Sequence, residues 1–81
     1  MLTKNKPKIF PNPFQSALRI RLTQTASNSS IKLYNSNGQL VISKATTDKG
    51  FTLQLNSLSP GVYYIQIKSD NNTFVEKVIK N

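Results

Sequence analysis

The chain has 81 residues, no cysteine and no histidine, and its 11 Lys and Arg residues against three acids give a formal net charge of +8. This length allows one domain, and the missing cysteines exclude a disulfide framework and a thiolate metal site. The absence of histidine removes the commonest general base and the commonest nitrogen ligand of metals. The longest apolar runs, at residues 40–42 and 62–65, fall far short of the roughly 20 residues that cross a bilayer. The basic N-terminal stretch has no apolar run behind it, so we expect any targeting segment to lie outside this chain.

The basic surplus predicts attraction to polyanions such as nucleic acid, anionic polysaccharide or lipid headgroups. The basic residues are scattered along the chain rather than clustered, and solubility is therefore the simpler interpretation. Any polyanion binding is expected to be weak and sensitive to salt. Tyr34, Tyr63 and Phe74 lie in predicted strands, where burial in the core is the default. We expect no specific nucleic-acid binding, because this leaves Tyr64 as the candidate surface aromatic residue.

Apolar and polar residues alternate with a period of two in most of the chain, and no window has the three-and-four spacing of a helix. The alternation predicts short strands with one face on a core. In chain order we place them near residues 8–10, 18–23, 30–34, 39–45, 51–55, 62–68 and 73–80. Short strands at this spacing predict an all-β domain, an immunoglobulin-like antiparallel β-sandwich of about seven strands.

Residues that favour turns separate the predicted strands. Asn37-Gly38 predicts a two-residue type I′ hairpin, and Asp48-Lys49-Gly50 predicts a bulged three-residue turn with Gly50 in the left-handed position. Pro60-Gly61 suits a type II turn. The polar stretch at residues 25–30 is expected to be a loop, and residues 70–72 are expected to end the sixth strand.

The alternation also predicts which side chains form the core. The predicted core residues are Leu18, Ile20, Leu22, Ile31, Leu33, Leu53, Leu55, Tyr63, Ile65 and Ile67. The last strand is harder to assign, because residues 74–75 and 78–79 are adjacent apolar pairs. A bulge in the strand or burial on both faces would explain them.

Nothing in the sequence predicts catalysis, a cofactor or a bound metal. Asp48 and Asp70 fall at turn positions where Asp bonds nearby backbone, and Glu76 lies in a strand. A calcium site at residues 70–72 would need six to eight oxygen ligands, and no further acid lies near in sequence. We therefore expect a domain that is not an enzyme.

Four local patterns occur together and in order. They are the segment at residues 10–14 (Phe-Pro-Asn-Pro-Phe), residues 31–35 with 38–41, residues 55–65, and the terminal residues 76–80. In this order and spacing they resemble the type A C-terminal sorting domain of proteins carried by the type IX secretion system of Bacteroidota. The resemblance covers residues 9–81 and leaves residues 1–8 as a linker.

The resemblance implies a delivery role for a larger cargo protein encoded in the same chain. The cargo would reach the periplasm through a separate signal, and outer-membrane components of the secretion system would then recognise the folded sandwich. A sortase-like peptidase would remove the domain. The cargo would end at the cell surface or in the medium, either free or joined to an anionic lipopolysaccharide, and the domain itself is expected to be monomeric.

The motif residues have physical roles within this reading. Pro11 and Pro13 are expected to fix an extended leading strand and to restrict Asn12, and Phe14 to plug the edge of the sandwich. Gly38 and Gly61 are expected to hold turns. Tyr63 offers a large apolar body and a hydroxyl that can reach a backbone group.

The resemblance of the terminal motif implies that Lys77, Val78, Ile79 and Lys80 are part of the signal that the secretion machinery recognises. Together they would form a basic and apolar strand edge, which could dock by strand addition and charge attraction. A second hypothesis is a carbohydrate-binding or adhesion module of the same fold, since a fold does not determine function. Such a module would need a line of exposed aromatic side chains.

Overall fold

The structure, a computed structural model, describes residues 7–22, 28–69 and 72–81, which form seven β-strands. The strands are β1 (Lys8–Phe10), β2 (Ala17–Arg21), β3 (Ser29–Asn35), β4 (Leu40–Thr46), β5 (Gly50–Gln54), β6 (Gly61–Ser69) and β7 (Asn72–Lys80). Each lies within two residues of a predicted strand. Residues 25–27 of the loop expected at residues 25–30, and Asp70 with Asn71, lie outside the described residues, whereas Ser29 and Ser30 already belong to β3.

The strands form two antiparallel sheets, which confirms the predicted all-β sandwich. One sheet has three strands in the order β1-β2-β5, and the other has four in the order β4-β3-β6-β7. Strands β3 and β6 form the centre of the larger sheet, and β7 forms one of its edges. The chain changes sheets after β2, after β4 and after β5.

The core lies between the two sheets and takes side chains from both. All ten predicted core residues are buried, and Phe14 and Val78 complete the cluster with no exposed surface. Ile9, Ile42, Phe51 and Leu58 pack against it from its margins. Because residues of one strand alternate between the two faces of a sheet, burial of one face fixes the register of the strands that line the core.

The turn between β3 and β4 differs from the predicted two-residue hairpin. Its loop has three residues, 36–38, and the backbone N–H of Asn35 donates to the carbonyl of Gln39 at 2.9 Å. Gly38 occupies the left-handed region with φ of 82°, as a bulged three-residue loop requires. The Asn35 side chain explains the longer loop, because its Oδ1 accepts hydrogen bonds from the backbone N–H groups of Asn37 and Gln39.

Two other turn predictions are wrong. The segment containing Asp48 and Lys49 joins strands of different sheets, and Gly50 is the first residue of β5, paired with Arg21 and without a positive φ. Gly61 has φ of 151°, which differs from the value near +80° of a type II turn. The chain instead turns upstream, where the N–H of Leu58 donates to the carbonyl of Leu55 at 3.2 Å.

The central position of β6 generates a stability prediction. Ile65 is fully buried between the sheets, so Ile65→Ala should lower the free energy of unfolding by about 2–5 kcal/mol. Gln66, the next residue on the opposite face, is the control, and Gln66→Ala should change it by less than about 0.5 kcal/mol. Urea denaturation followed by circular dichroism measures both values. Equal losses for the two variants would contradict the assignment of faces.

Candidate functional site

The predicted signal residues lie on β7, the edge strand of the four-stranded sheet. Strand β7 pairs with β6 without interruption, from Asn72 opposite Ser69 to Lys80 opposite Gly61. Neither a bulge nor burial on both faces is present, which corrects the expectation for the paired apolar residues. Val75 is 63% exposed and Ile79 is 37% exposed, so these two side chains lie on the outer face.

The edge of β7 that points away from β6 is covered by the segment at residues 11–14, which we call the clasp. Asn12 Nδ2 donates to the carbonyl oxygen of Lys77 at 3.0 Å, and the backbone N–H of Ile79 donates to Asn12 Oδ1 at 3.0 Å. Phe14 then forms a parallel bridge, in which its N–H donates to the carbonyl of Ile79 and its carbonyl accepts from the N–H of Asn81, at 2.8 and 2.9 Å. These four hydrogen bonds fasten the N-terminal motif to the C-terminal one.

The clasp changes two expectations. The leading strand β1 ends at Phe10, so Pro11 and Pro13 lie beyond it and hold a separate connection. Their peptide bonds, Phe10–Pro11 and Asn12–Pro13, are both cis. The edge of β7 from Lys77 to Asn81 is already hydrogen-bonded, so strand addition at the terminal motif does not fit this fold.

The structure separates the four predicted recognition residues. Lys77 and Ile79 are exposed on the outer face of the sheet. Val78 is fully buried in the core, and Lys80 is half-buried on the same side, at the bridge with Phe14. In the folded domain, Lys77 and Ile79 can contact a partner through their side chains, whereas Val78 anchors the strand.

Lys77 belongs to a row of side chains that crosses the outer face of the sheet. In the strand register, Tyr34 on β3 lies opposite Tyr64 on β6, and Tyr64 lies opposite Lys77 on β7. We call Tyr34, Tyr64, Val75, Lys77 and Ile79 the tyrosine face. It combines two aromatic rings, two aliphatic side chains and an ammonium group on one exposed surface.

Sequence reasoning placed Tyr34 in the core, whereas the structure places it half-buried on the outer face beside Tyr64. The signal that identifies it is the alternation within β3. Ile31 and Leu33 are buried, so Tyr34 shares the opposite face with Lys32. Tyr64 is 40% exposed, as predicted.

Tyr63 has the role predicted for it. Tyr63 is 7% exposed, and its hydroxyl donates to the carbonyl of Ser59 at 2.6 Å. Ser59 precedes β6, so this bond ties the segment between the sheets to the start of the strand. The arrangement matches the tyrosine corner of immunoglobulin-like sandwiches.

Two of the three acidic residues lie in the described part of the chain. Asp48 is exposed, and its backbone N–H donates to Thr46 Oγ1 at 3.0 Å, whereas Glu76 is half-buried on β7. In residues 7–22, 28–69 and 72–81, no three acidic, histidine or cysteine side chains form a metal-binding group. Within the same ranges, no helix has the length and apolar character that crossing a membrane requires.

Comparison with known proteins decides the family. The family described as "Secretion system C-terminal sorting domain" matches residues 8–81. This chain belongs to that family of type IX secretion domains. The protein that carries such a sorting domain is exported across the outer membrane, to the cell surface or the medium.

A solved structure supports the fold of the sorting domain. The sorting domain is similar, with a TM-score of 0.71 and 15% sequence identity, to part of the structure of PorZ, an essential bacterial surface component of the type-IX secretion system of Porphyromonas gingivalis. The match covers 93% of this chain and 11% of that chain. At this identity the likeness concerns the fold alone. The comparison with curated proteins finds no significant match.

The clasp generates a prediction for the sorting domain. Asn12→Ala removes two hydrogen bonds to β7 and should lower the free energy of unfolding by about 1–3 kcal/mol, at 0.5–1.5 kcal/mol per bond. Asn56→Ala, at an exposed turn residue, is the control and should have a smaller effect. Guanidinium denaturation measures both. An Asn12→Ala variant as stable as the wild type would show that the side chain does not fasten the strand.

The tyrosine corner generates a second prediction. Tyr63→Phe keeps the buried ring but removes the hydroxyl that bonds Ser59, and should cost about 1 kcal/mol of unfolding free energy. Tyr64→Phe is the matched control, because its hydroxyl lies on the exposed face. Thermal unfolding of the two variants, compared at equal concentration, tests this. A larger loss for Tyr64→Phe would contradict the role of the corner.

Proposed function

We propose that this domain directs its cargo through the type IX secretion system by being recognised as a folded sandwich, through the tyrosine face. The family match supports the secretion role. The observation that carries the mode of recognition is the clasp: the terminal residues are bonded to β6 on one side and to residues 12 and 14 on the other. Because both edges of this strand are hydrogen-bonded, a partner contacts it through the side chains of its exposed face.

The chemistry of the tyrosine face indicates the kind of partner. Tyr64 offers an amphipathic ring, Val75 offers exposed apolar surface, and Lys77 supplies a positive charge beside them. Aromatic residues are enriched at protein interfaces, and a charged group beside them gives selectivity for a partner of opposite charge. An outer-membrane component of the secretion system with an apolar and acidic patch would complement this face.

The remaining steps of delivery form part of the same proposal. The cargo precedes the domain in the chain, passes through the periplasm, and is separated from the domain by a sortase-like peptidase. In this proposal residues 1–8 are the linker and residues 9–81 the sorting domain, with Lys8 at their junction as the first residue of β1. The cargo is then released or joined to an anionic lipopolysaccharide, and the domain, a monomer, carries no catalysis and no cofactor of its own.

The second hypothesis, a carbohydrate-binding or adhesion module, is not favoured by the family match. The neighbouring rings of Tyr34 and Tyr64 give it one supporting observation, because aromatic pairs stack on sugars. Export of a fused cargo distinguishes the two hypotheses, since an adhesion module is not expected to export a fused reporter.

A fusion experiment tests the proposal in a host that has a type IX secretion system. A reporter with its own signal peptide is placed before this domain, and the amounts in the periplasm and in the medium are measured. We expect the intact fusion to appear outside the cell. Retention of the intact fusion in the periplasm would contradict the sorting role.

Variants of the fusion test the tyrosine face separately. Lys77→Glu reverses the charge on the face, and Tyr64→Thr removes the ring while keeping a residue that favours strands. We expect either change to reduce export about tenfold or more. Lys44→Glu, on the opposite edge strand β4, makes the same charge change and should leave export unchanged. Folded Lys77→Glu and Tyr64→Thr variants that are exported at the normal rate would contradict recognition through this face, while leaving the sorting role intact.

A further inference from the structure

The three-stranded sheet has an exposed basic surface that recognition through the tyrosine face does not explain. The outer face of β1, β2 and β5 is crossed by two rows of side chains, Phe10–Arg19–Thr52 and Lys8–Arg21–Gly50. Arg19 and Arg21 are both exposed and lie two residues apart on one strand, about 7 Å along it. We call this surface the arginine face.

A shallow hollow of about 340 Å³ lies on this face, and the residues that border it include Phe10, Arg19, Arg21, Gly50 and Thr52. A neighbouring hollow of about 500 Å³ shares Arg21 and Gly50 with it and adds Lys8 and Lys49. None of the described residues that border either hollow is acidic. The surface is therefore basic, concave and open to solvent.

Gly50 provides an independent observation. Its φ is not positive, and a Cβ at this position would meet nothing nearer than the carbonyl oxygen of Ile20 at 3.9 Å. Neither backbone conformation nor close packing therefore requires a glycine here. The effect of the glycine, at the start of β5, is to leave space beside Arg21, its partner in the register.

The charges on this face oppose folding. Lys8 lies directly opposite Arg21 in the register, and like charges directly opposite each other destabilise a sheet. Local arrangements that break such a rule are expected at functional sites. A bound anion would relieve the repulsion between these groups.

We propose that the arginine face binds a phosphorylated saccharide. Two neighbouring guanidinium groups suit the bidentate recognition of a phosphate. Phe10, 39% exposed beside Arg19, offers one ring for stacking on a sugar, and the Thr52 hydroxyl offers a partner for a sugar hydroxyl. A single aromatic residue suits one sugar ring, whereas single-stranded nucleic acid is bound by successive stacking residues.

Nuclear magnetic resonance titration of the isotope-labelled domain tests this proposal, with glucose 6-phosphate as the probe in low salt. We expect saturable shifts at the amides of Arg19, Arg21 and Gly50. Glucose alone should bind at least tenfold more weakly, and inorganic phosphate should bind several times more weakly. An absence of saturable shifts at these amides would overturn the proposal.

Two sets of variants separate a site from general charge attraction. Arg19→Gln with Arg21→Gln should weaken binding about tenfold or more, and Lys32→Gln with Lys68→Gln, which removes two charges from the outer face of the other sheet, should not. Gly50→Gln should also weaken binding, because it fills the hollow without changing charge. Equal weakening by both double variants would show general attraction, and unchanged binding by Gly50→Gln would exclude the hollow. Tighter binding of a thymidine oligonucleotide, or of phosphatidylglycerol vesicles, than of the sugar phosphate would also overturn the assignment.

Discussion

The pairing of the clasp with the C-terminal strand is the interaction on which the arrangement of this domain depends. Strand β7 closes the four-stranded sheet, and without a partner its outer edge would present a row of free backbone groups. Asn12 and Phe14 bond to that edge from Lys77 to Asn81. The same segment brings the Phe14 ring into the core, where it is fully buried. One short motif therefore completes the core and covers the terminal edge.

The clasp also determines which surface of β7 a partner can contact. A terminal strand that is hydrogen-bonded along both edges cannot bind a partner as a free peptide. Its side chains alternate between the core and the exposed face. Val78 anchors the strand in the core, while Lys77 and Ile79 join Tyr34 and Tyr64 on the exposed face. The surface that we propose for recognition is thus drawn from three strands, so it exists only in the folded domain. In this proposal the sorting signal is the whole sandwich instead of a short tail.

The strands and the core were predicted well from the sequence, because apolar and polar residues that alternate with a period of two directly show which side chains face inwards. Prediction failed where distant parts of the chain meet. Turn residues such as those near Gly50 look alike whether the chain forms a hairpin or crosses to another sheet. The motif at Asn12 was found, but its bonds to Lys77 and Ile79 span more than 60 residues, and no local pattern encodes them. Tyr34 was misplaced because aromatic character was given more weight than the alternation around it.

Amide hydrogen exchange along β7 tests the role of the clasp most directly. The alternation of backbone groups turns the N–H groups of Val75, Lys77, Ile79 and Asn81 towards the same outer edge. Ile79 and Asn81 donate to the clasp, whereas Val75 and Lys77 have no hydrogen-bond partner among the described residues. The account predicts that the amides of Ile79 and Asn81 exchange at least tenfold more slowly than those of Val75 and Lys77 in the native domain. Equally fast exchange at all four amides would show that the terminal edge is open, and would contradict the account.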